Sequence, residues 1–179
     1  MKDTDKVVIL NIKEKWHQKI LDGEKIIELR RDFVEDLPSE TKMFLCIDGW
    51  LEAGVEIDKI ERLSLEEIKS LKDKHCADDT WVDEYFKGYD TGIAIHISRP
   101  HKFSNISRYA NQSYGDVGIK SMCIEDFGLQ TPYSFQVVSK SKLAERFFKR
   151  EKDIARRRQE ELEKDKIRHT KLKEMFDIT

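Results

Sequence analysis

The residue types that could do chemistry are concentrated between Ile20 and Arg31, in the run Ile-Leu-Asp-Gly-Glu-Lys-Ile-Ile-Glu-Leu-Arg-Arg. Here Lys25, Glu28, Arg30 and Arg31 follow Gly23 at short spacings. A carboxylate beside two cations is held ionised, and the cations are held in place by it. Such a group can bind a phosphate, polarise a carbonyl or read the edge of a base. The plainer alternative is a ladder of surface ion pairs on a half-exposed strand, which adds little to stability. By spacing alone the ladder is the favoured reading, because surface pairs are common.

Two elements must position this cluster. Residues 13–22 are predicted as a short helix, with Trp16, Ile20 and Leu21 on one face and Gly23 as the stop. Residues 26–31 are predicted as a strand. Along it Ile27 and Leu29 point one way, and Glu28 and Arg30 the other. Lys25 has the opposite parity to Arg30 and Glu28, but at the mouth of the strand it can swing to either side.

The surrounding pattern is mixed. Residues 6–12 form a β-branched strand, 43–47 a third strand after a turn at Pro38-Ser39, and 54–63 a fourth after the Asp48-Gly49 turn. Ser64-Leu65-Glu66-Glu67 is a capping box opening a helix to about His75. Asp78 or Asp79 caps another short helix through Phe86, stopped by Gly88. Residues 91–98 read as a strand ended by Pro100, residues 104–131 mostly as loop, and residues 133–138 as a final strand. From Ser139 to Thr179 there is no Gly or Pro, so one long charged helix is expected. Its apolar stripe of Leu143, Phe147, Ile154, Leu162, Leu172 and Phe176 is thin and broken, and Leu143, Phe147 and Phe148 are expected to dock on the preceding domain. The reading is therefore α+β: a small, largely antiparallel barrel with short helices over residues 1–138, and a charged helix over 139–179.

Composition sets the outer limits. Of 179 residues, 38% are charged and 39% hydrophobic, against roughly 25% charged in an average soluble domain. No apolar run approaches the ~20 residues of a spanning helix, and the polar start Met1–Lys6 lacks a secretory pattern, so a cytoplasmic, membrane-free protein is expected. Cys46, Cys76 and Cys123 are too widely spaced for a zinc pattern or disulfide framework. His17, His75, His96, His101 and His169 show no metal-ligand spacing, and no phosphate-loop or dinucleotide fingerprint occurs, so no cofactor is expected.

Charge is divided unevenly. Residues 140–179 hold 14 basic and 9 acidic side chains, leaving 19 basic and 26 acidic in residues 1–139. If the body binds nucleic acid, a local basic cleft must do so against the overall sign. The tail bases, Arg156-Arg157-Arg158 with Lys164, Lys166, Arg168, Lys171 and Lys173, could follow a phosphate backbone. The interleaved acids favour a solvated helix laced with ion pairs such as Glu160–Lys164. Trp50, Trp81, Tyr85 and Tyr89 could stack on bases. Trp81 and Tyr85, four apart on one helix, favour packing instead.

The stretch around Gly23 resembles the G-x-K-x-x-E-x-R signature of the ASCH domain family, a branch of the PUA-like superfamily. Residues 16–23 are similar to the family's preceding helix, Y/W-x-x-x-I-L-x-G. Similar too are strand 54–60, the insert with Tyr85-Phe86-Lys87-Gly88, strand 92–97 followed by Pro100, and the ending Thr131-Pro132-Tyr133-Ser134-Phe135. The family's usual ending is Pro-Pro-Gln-Ser-Phe. The resemblance covers about residues 6–138. It implies a five- or six-stranded barrel whose cleft, lined by the motif, acts on RNA or nucleotides, often in stand-alone prokaryotic or phage proteins. Lys25, Glu28, Arg30 and Arg31 then become cleft residues, with Trp50, Tyr85 and Ser134 as further nucleic-acid contacts.

One branch of the family is similar to bacterial amidohydrolases that remove an acyl group from N-acetylated cytidine, using the motif Lys, a Thr three residues on and a carboxylate from the helical insert. Lys25 matches the Lys, Glu28 replaces the Thr, and Asp79 matches the carboxylate, which gives a catalytic set of Lys25, Glu28 and Asp79. Glu28 favours the charged ammonium and works against Lys25 as a base. Binding of an RNA or nucleotide is therefore the leading expectation. A hydrolase, either amidohydrolase or ribonuclease, is the alternative, and a protein partner or self-association through residues 139–179 is the third.

Overall fold

The computed structural model describes residues 5–103 and 122–176, and it separates into two compact units, Met1–Lys140 and Ser141–Thr179. In chain order the elements are β1 (Lys6–Asn11), α1 (Glu14–Leu21), β2 (Ile27–Arg30), β3 (Thr41–Ile47), β4 (Trp50–Ser64), α2 (Leu65–Ser70), α3 (Lys72–His75), α4 (Asp79–Tyr85), β5 (Thr91–Lys102), β6 (Met122–Cys123), β7 (Phe135–Ser139) and α5 (Lys140–Phe176).

The strands form one sheet in the order β2-β5-β4-β3-β1-β7, with β6 added to β4. Every pairing is antiparallel except β1 with β3. The inner face carries the main core. Val8 and Leu10 from β1, Met43 and Leu45 from β3, Val55 and Ile57 from β4, and Ile93 and Ile95 from β5 pack together, with Ile20 of α1 closing over them. Each such side chain contributes about 1.5–3 kcal/mol when fully buried. A second, smaller core lies on the other face of β2 and β5. There Ile27, Leu29 and Ala94 are covered by Ile68 of α2 and by Val82 and Phe86 of the α4 segment. Gly92 is required by this packing, because a Cβ there would come within 2.4 Å of the Phe86 ring.

The expected closed barrel is not what forms. Among the described residues the edges β2 and β7 make no backbone ladder, so the sheet stays open. β2 is only four residues long. Its antiparallel register puts Glu28 opposite Ile95 and Arg30 opposite Ile93, on the main-core face. The Arg30 guanidinium then bridges the open seam, donating to the Asn11 carbonyl at 2.8 Å and the Ser134 hydroxyl at 3.2 Å.

Other boundaries shift for local reasons. β5 runs past Pro100 because Arg99, at φ 48°, and Pro100 form a bulge between the pairs Ser98–Glu56 and His101–Gly54. A bulge residue needs no ladder bond, so proline's missing N–H costs nothing there. The helix expected from Ser64 to His75 breaks at Leu71 into α2 and α3, with its capping box in place. Of the two aspartates proposed as the next cap, Asp78 is the one used, accepting from the Trp81 N–H at 2.7 Å. β6 falls within the stretch expected to be loop, and residues 104–121 of that stretch lie outside the described residues.

The second unit is the body of α5, a helix of 37 residues counted from Lys140. Its charges pair along the helix, as in Arg156 with Asp153 and Glu160, Lys166 with Glu163 and Arg168 with Asp165. Leu162, Ile167 and Leu172 are exposed. The side chains of Phe147 and Phe148, expected to dock on the domain, lie outside the described residues. No helix among the described residues is long and apolar enough to cross a membrane.

Candidate functional site

The turn after α1 builds the site. Gly23 adopts φ +76°, a conformation that glycine takes at little cost. The chain then folds back so that the Lys25 N–H bonds the Lys19 carbonyl at 3.0 Å, and the Ile26 N–H bonds the Lys74 carbonyl at 2.9 Å. These bonds turn Lys25 inward, beneath α1. Its ammonium lies 5.0 Å from the centre of the Trp16 ring. It donates to the carbonyls of Ile27 at 2.8 Å and His75 at 2.9 Å, and it pairs with Glu28 Oε2 at 3.2 Å. Three acceptors match the three N–H bonds of an ammonium. For Lys25 to offer a lone pair to an acyl group, one of these bonds would have to break.

Glu28 sits between two cations. Its other oxygen, Oε1, receives Arg30 Nη2 at 2.9 Å. All three side chains are buried, with residue exposures of 4% for Lys25, 5% for Glu28 and 9% for Arg30. A surface ladder would be solvated, and this cluster is not. Charges taken from water are tolerated only when paired and hydrogen-bonded. Arg30 Nε is the exception, since it is buried with no hydrogen-bond partner.

His75 is the hidden support of Lys25. Its ring is fully buried. Nδ1 accepts from the Ala77 N–H at 3.1 Å, which leaves Nε2 to donate to the Ile68 carbonyl at 2.9 Å. Burial pushes its pKa down from 6.5. The neutral ring holds the end of α3 in place, and with it the carbonyl that anchors Lys25.

The cluster opens onto a cleft of about 740 Å³, one wall of which is aromatic. Trp81 stacks on Tyr85 with centroids 4.6 Å apart and planes at 15°, and meets Trp16 edge-on at 5.7 Å. Burial raises the pKa of the Tyr85 hydroxyl, so it stays a neutral phenol. The lining mixes Lys13, Lys25, Arg30 and Arg31 with Glu14, Glu28, Asp32 and Asp48. The charges balance, so bulk attraction for polyanions is weak and recognition depends on placed groups.

Of the residues singled out from sequence, Lys25, Glu28, Arg30, Arg31, Tyr85 and Ser134 line this cleft. Trp50 and Asp79 are not among its lining; Trp50 pairs with Cys123 at the start of β4, and Asp79 is exposed in the first turn of α4. Trp81, a stacking candidate whose helical spacing favoured packing, belongs to the wall, and so does Trp16, which the sequence offered only as a packing residue. The signal that could have found Trp16 is its place on the helix that ends at the Gly23 turn. The Trp16 ring lies against the Lys25 ammonium, and Trp81 meets Trp16 edge-on. Cys46 offers no nucleophile, because burial pushes its thiol up to about 11. Among the described residues no group of three or more His, Cys, Asp or Glu could hold a metal ion.

No protein-family model matches the chain, and no curated protein sequence matches it significantly. Its fold is nonetheless similar to solved structures. The structure of ASCH from Zymomonas mobilis superposes with a TM-score of 0.63 at 11% identity, covering 79% of this chain and 93% of that one. A Ser-to-Ala variant of that protein gives 0.63 at 12% identity, covering 83% and 98%. A Tyr-to-Phe variant gives 0.62 at 12%, covering 79% and 96%. At such identities the likeness concerns the fold alone.

Proposed function

We propose, with the ASCH-like fold of this chain as the premise, that the cleft recognises a nucleotide in single-stranded or modified RNA. The observation that carries the reading is Glu28, a buried carboxylate clamped between Lys25 and Arg30 at the foot of an aromatic wall. An ionised carboxylate only accepts hydrogen bonds, and each of its oxygens has a second lone pair to offer. Its natural partner is an amino group on the edge of cytosine, adenine or guanine. Trp81, backed by Tyr85, supplies an apolar face, and every base has a face to stack. Lys25, with its donors engaged, positions Glu28 rather than contacting the ligand. Arg30 holds a spare N–H for an acceptor on the ligand.

Fluorescence anisotropy with short labelled RNAs tests the reading. Wild type should bind, with bases that carry an amino group favoured over uracil. Trp81→Ala should weaken binding by the ~1–3 kcal/mol typical of a lost stacking contact, about 5- to 150-fold. Glu28→Gln, nearly isosteric, should flatten the preference among bases. Equal affinity and equal base preference in wild type and both variants would remove the proposal.

A further inference from the structure

On the cleft lining, Arg31 is held in place yet has donors to spare. We infer that Arg31 and Tyr89 form a second subsite, binding the phosphate and base of a nucleotide flanking the one in the cleft, so that the ligand is a strand rather than a free nucleoside. This inference rests on the cleft reading above. Arg31 follows Arg30 in the chain but is exposed. Its Nε donates to the Tyr85 carbonyl at 2.5 Å. Its guanidinium carbon lies 4.6 Å from the Tyr85 ring centre and 5.7 Å from that of Tyr89. One backbone bond and two rings thus fix its position. Neither terminal nitrogen has a partner among the described residues, whereas the exposed Arg62, Arg99 and Arg168 each face a carboxylate.

A guanidinium already ordered, with its fork free, loses little entropy on taking a phosphate and can bind it with two parallel hydrogen bonds. Tyr89 is 47% exposed. Its backbone is fixed by the Gly88 turn, at φ +87°, and by its own N–H on the Phe86 carbonyl at 2.8 Å. A tyrosine ring presented this way is a stacking platform outside the cleft. Because the guanidinium lies on the cleft lining and close to Tyr89, a phosphodiester bound to it would join a base in the cleft to a base on Tyr89. An acidic peptide would use the charge but not the two faces.

The test compares the four ribonucleosides with a labelled mixed-sequence hexaribonucleotide, each titrated at several salt concentrations. Wild type should bind the hexamer more tightly than any nucleoside. Tyr89→Ala should weaken hexamer binding about tenfold, within the range for a lost stacking contact, and leave nucleoside binding unchanged. Arg31→Ala should also weaken it, and should reduce the slope of log affinity against log salt by about 0.7, as expected for one phosphate on a single strand. A hexamer bound no tighter than a nucleoside overturns the subsite and leaves the cleft reading standing. So does an unchanged salt slope in Arg31→Ala, or an equal loss for both ligands in Tyr89→Ala. If wild type binds neither ligand, both proposals fall.

Discussion

Among the described residues, Glu28 and Glu56 are each held between a lysine and an arginine. Glu28 lies between Lys25 and Arg30, and Glu56 of β4 lies between Lys42 and Arg99. Composition does not separate the two clusters, but the position of the cations does. The side chains of Lys25 and Arg30 are 4% and 11% exposed, while those of Lys42 and Arg99 are 46% and 71% exposed. Lys42 and Arg99 keep their hydration and lend Glu56 their charge, so that its pKa falls, chiefly through the hydrogen bond from Lys42. Lys25 and Arg30 have exchanged water for the carbonyls of Ile27, His75 and Asn11. The first arrangement staples strands together. The second holds a carboxylate rigidly in a recess, at a desolvation cost that only its pairing and hydrogen bonds offset.

The largest effect expected from this contrast is on stability. Glu28→Ala leaves two buried cations without their shared anion, and breaking a buried pair in this way costs about 3–5 kcal/mol. Glu56→Ala releases two solvated cations, so its loss should be far smaller. Urea denaturation of the two variants beside wild type measures the difference. Similar midpoints for both would mean that the Glu28 cluster is as wet as the Glu56 cluster, and the contrast would fail.

How much of this was legible in the sequence depends on the range of the interaction. The alternation in β2 was readable, because parity is a local property: Ile27 and Leu29 face one way, and Glu28 and Arg30 the other. The capping box at Ser64 and the turn at Gly23 were readable for the same reason. What could not be read was which face of β2 meets the main core, since that depends on pairing with β5, more than 60 residues away in sequence. The open edge of the sheet was also hidden, because Arg30 bridges the seam to Asn11 and Ser134 by contacts at long sequence separation. Trp16 looked like a core residue by its spacing and in fact touches both cores and Lys25. His75 gave no signal at all, because its role rests on a backbone carbonyl.

Acid should separate the clusters next. The folded protein keeps His75 neutral by burial, with its pKa below 6.5. Below pH 6.5 the unfolded chain takes up a proton that the native ring resists, so stability falls as pH drops from about 6.5 toward the native value. The slope cannot exceed about 1.4 kcal/mol per pH unit for one group. Glu56 behaves differently: its native pKa lies below 4.5, so its contribution is intact above that value and fades only as pH falls further. Melting curves from pH 7.5 to 5 should therefore show a decline that His75→Leu flattens, although that variant is less stable throughout. A decline of the same steepness in His75→Leu would assign the effect to another group.

The smallest effect is the one that tests the staple. Arg99 is mostly in water, and its guanidinium reaches Glu56 at 2.9 Å without backbone anchors. Exposed pairs of this kind are screened by salt, and their gain is offset by the entropy of holding a long side chain still. Arg99 also sits at φ 48° in the bulge of β5, a conformation that glycine adopts more easily. Arg99→Gly should therefore leave the melting temperature unchanged or raise it slightly, and 1 M salt should erase whatever the lost pair contributed. The outcome that matters is a clear loss in Arg99→Gly that persists in high salt. It would mean that the Glu56 cluster, too, is closed to water, and that cation burial is not what sets the cleft apart.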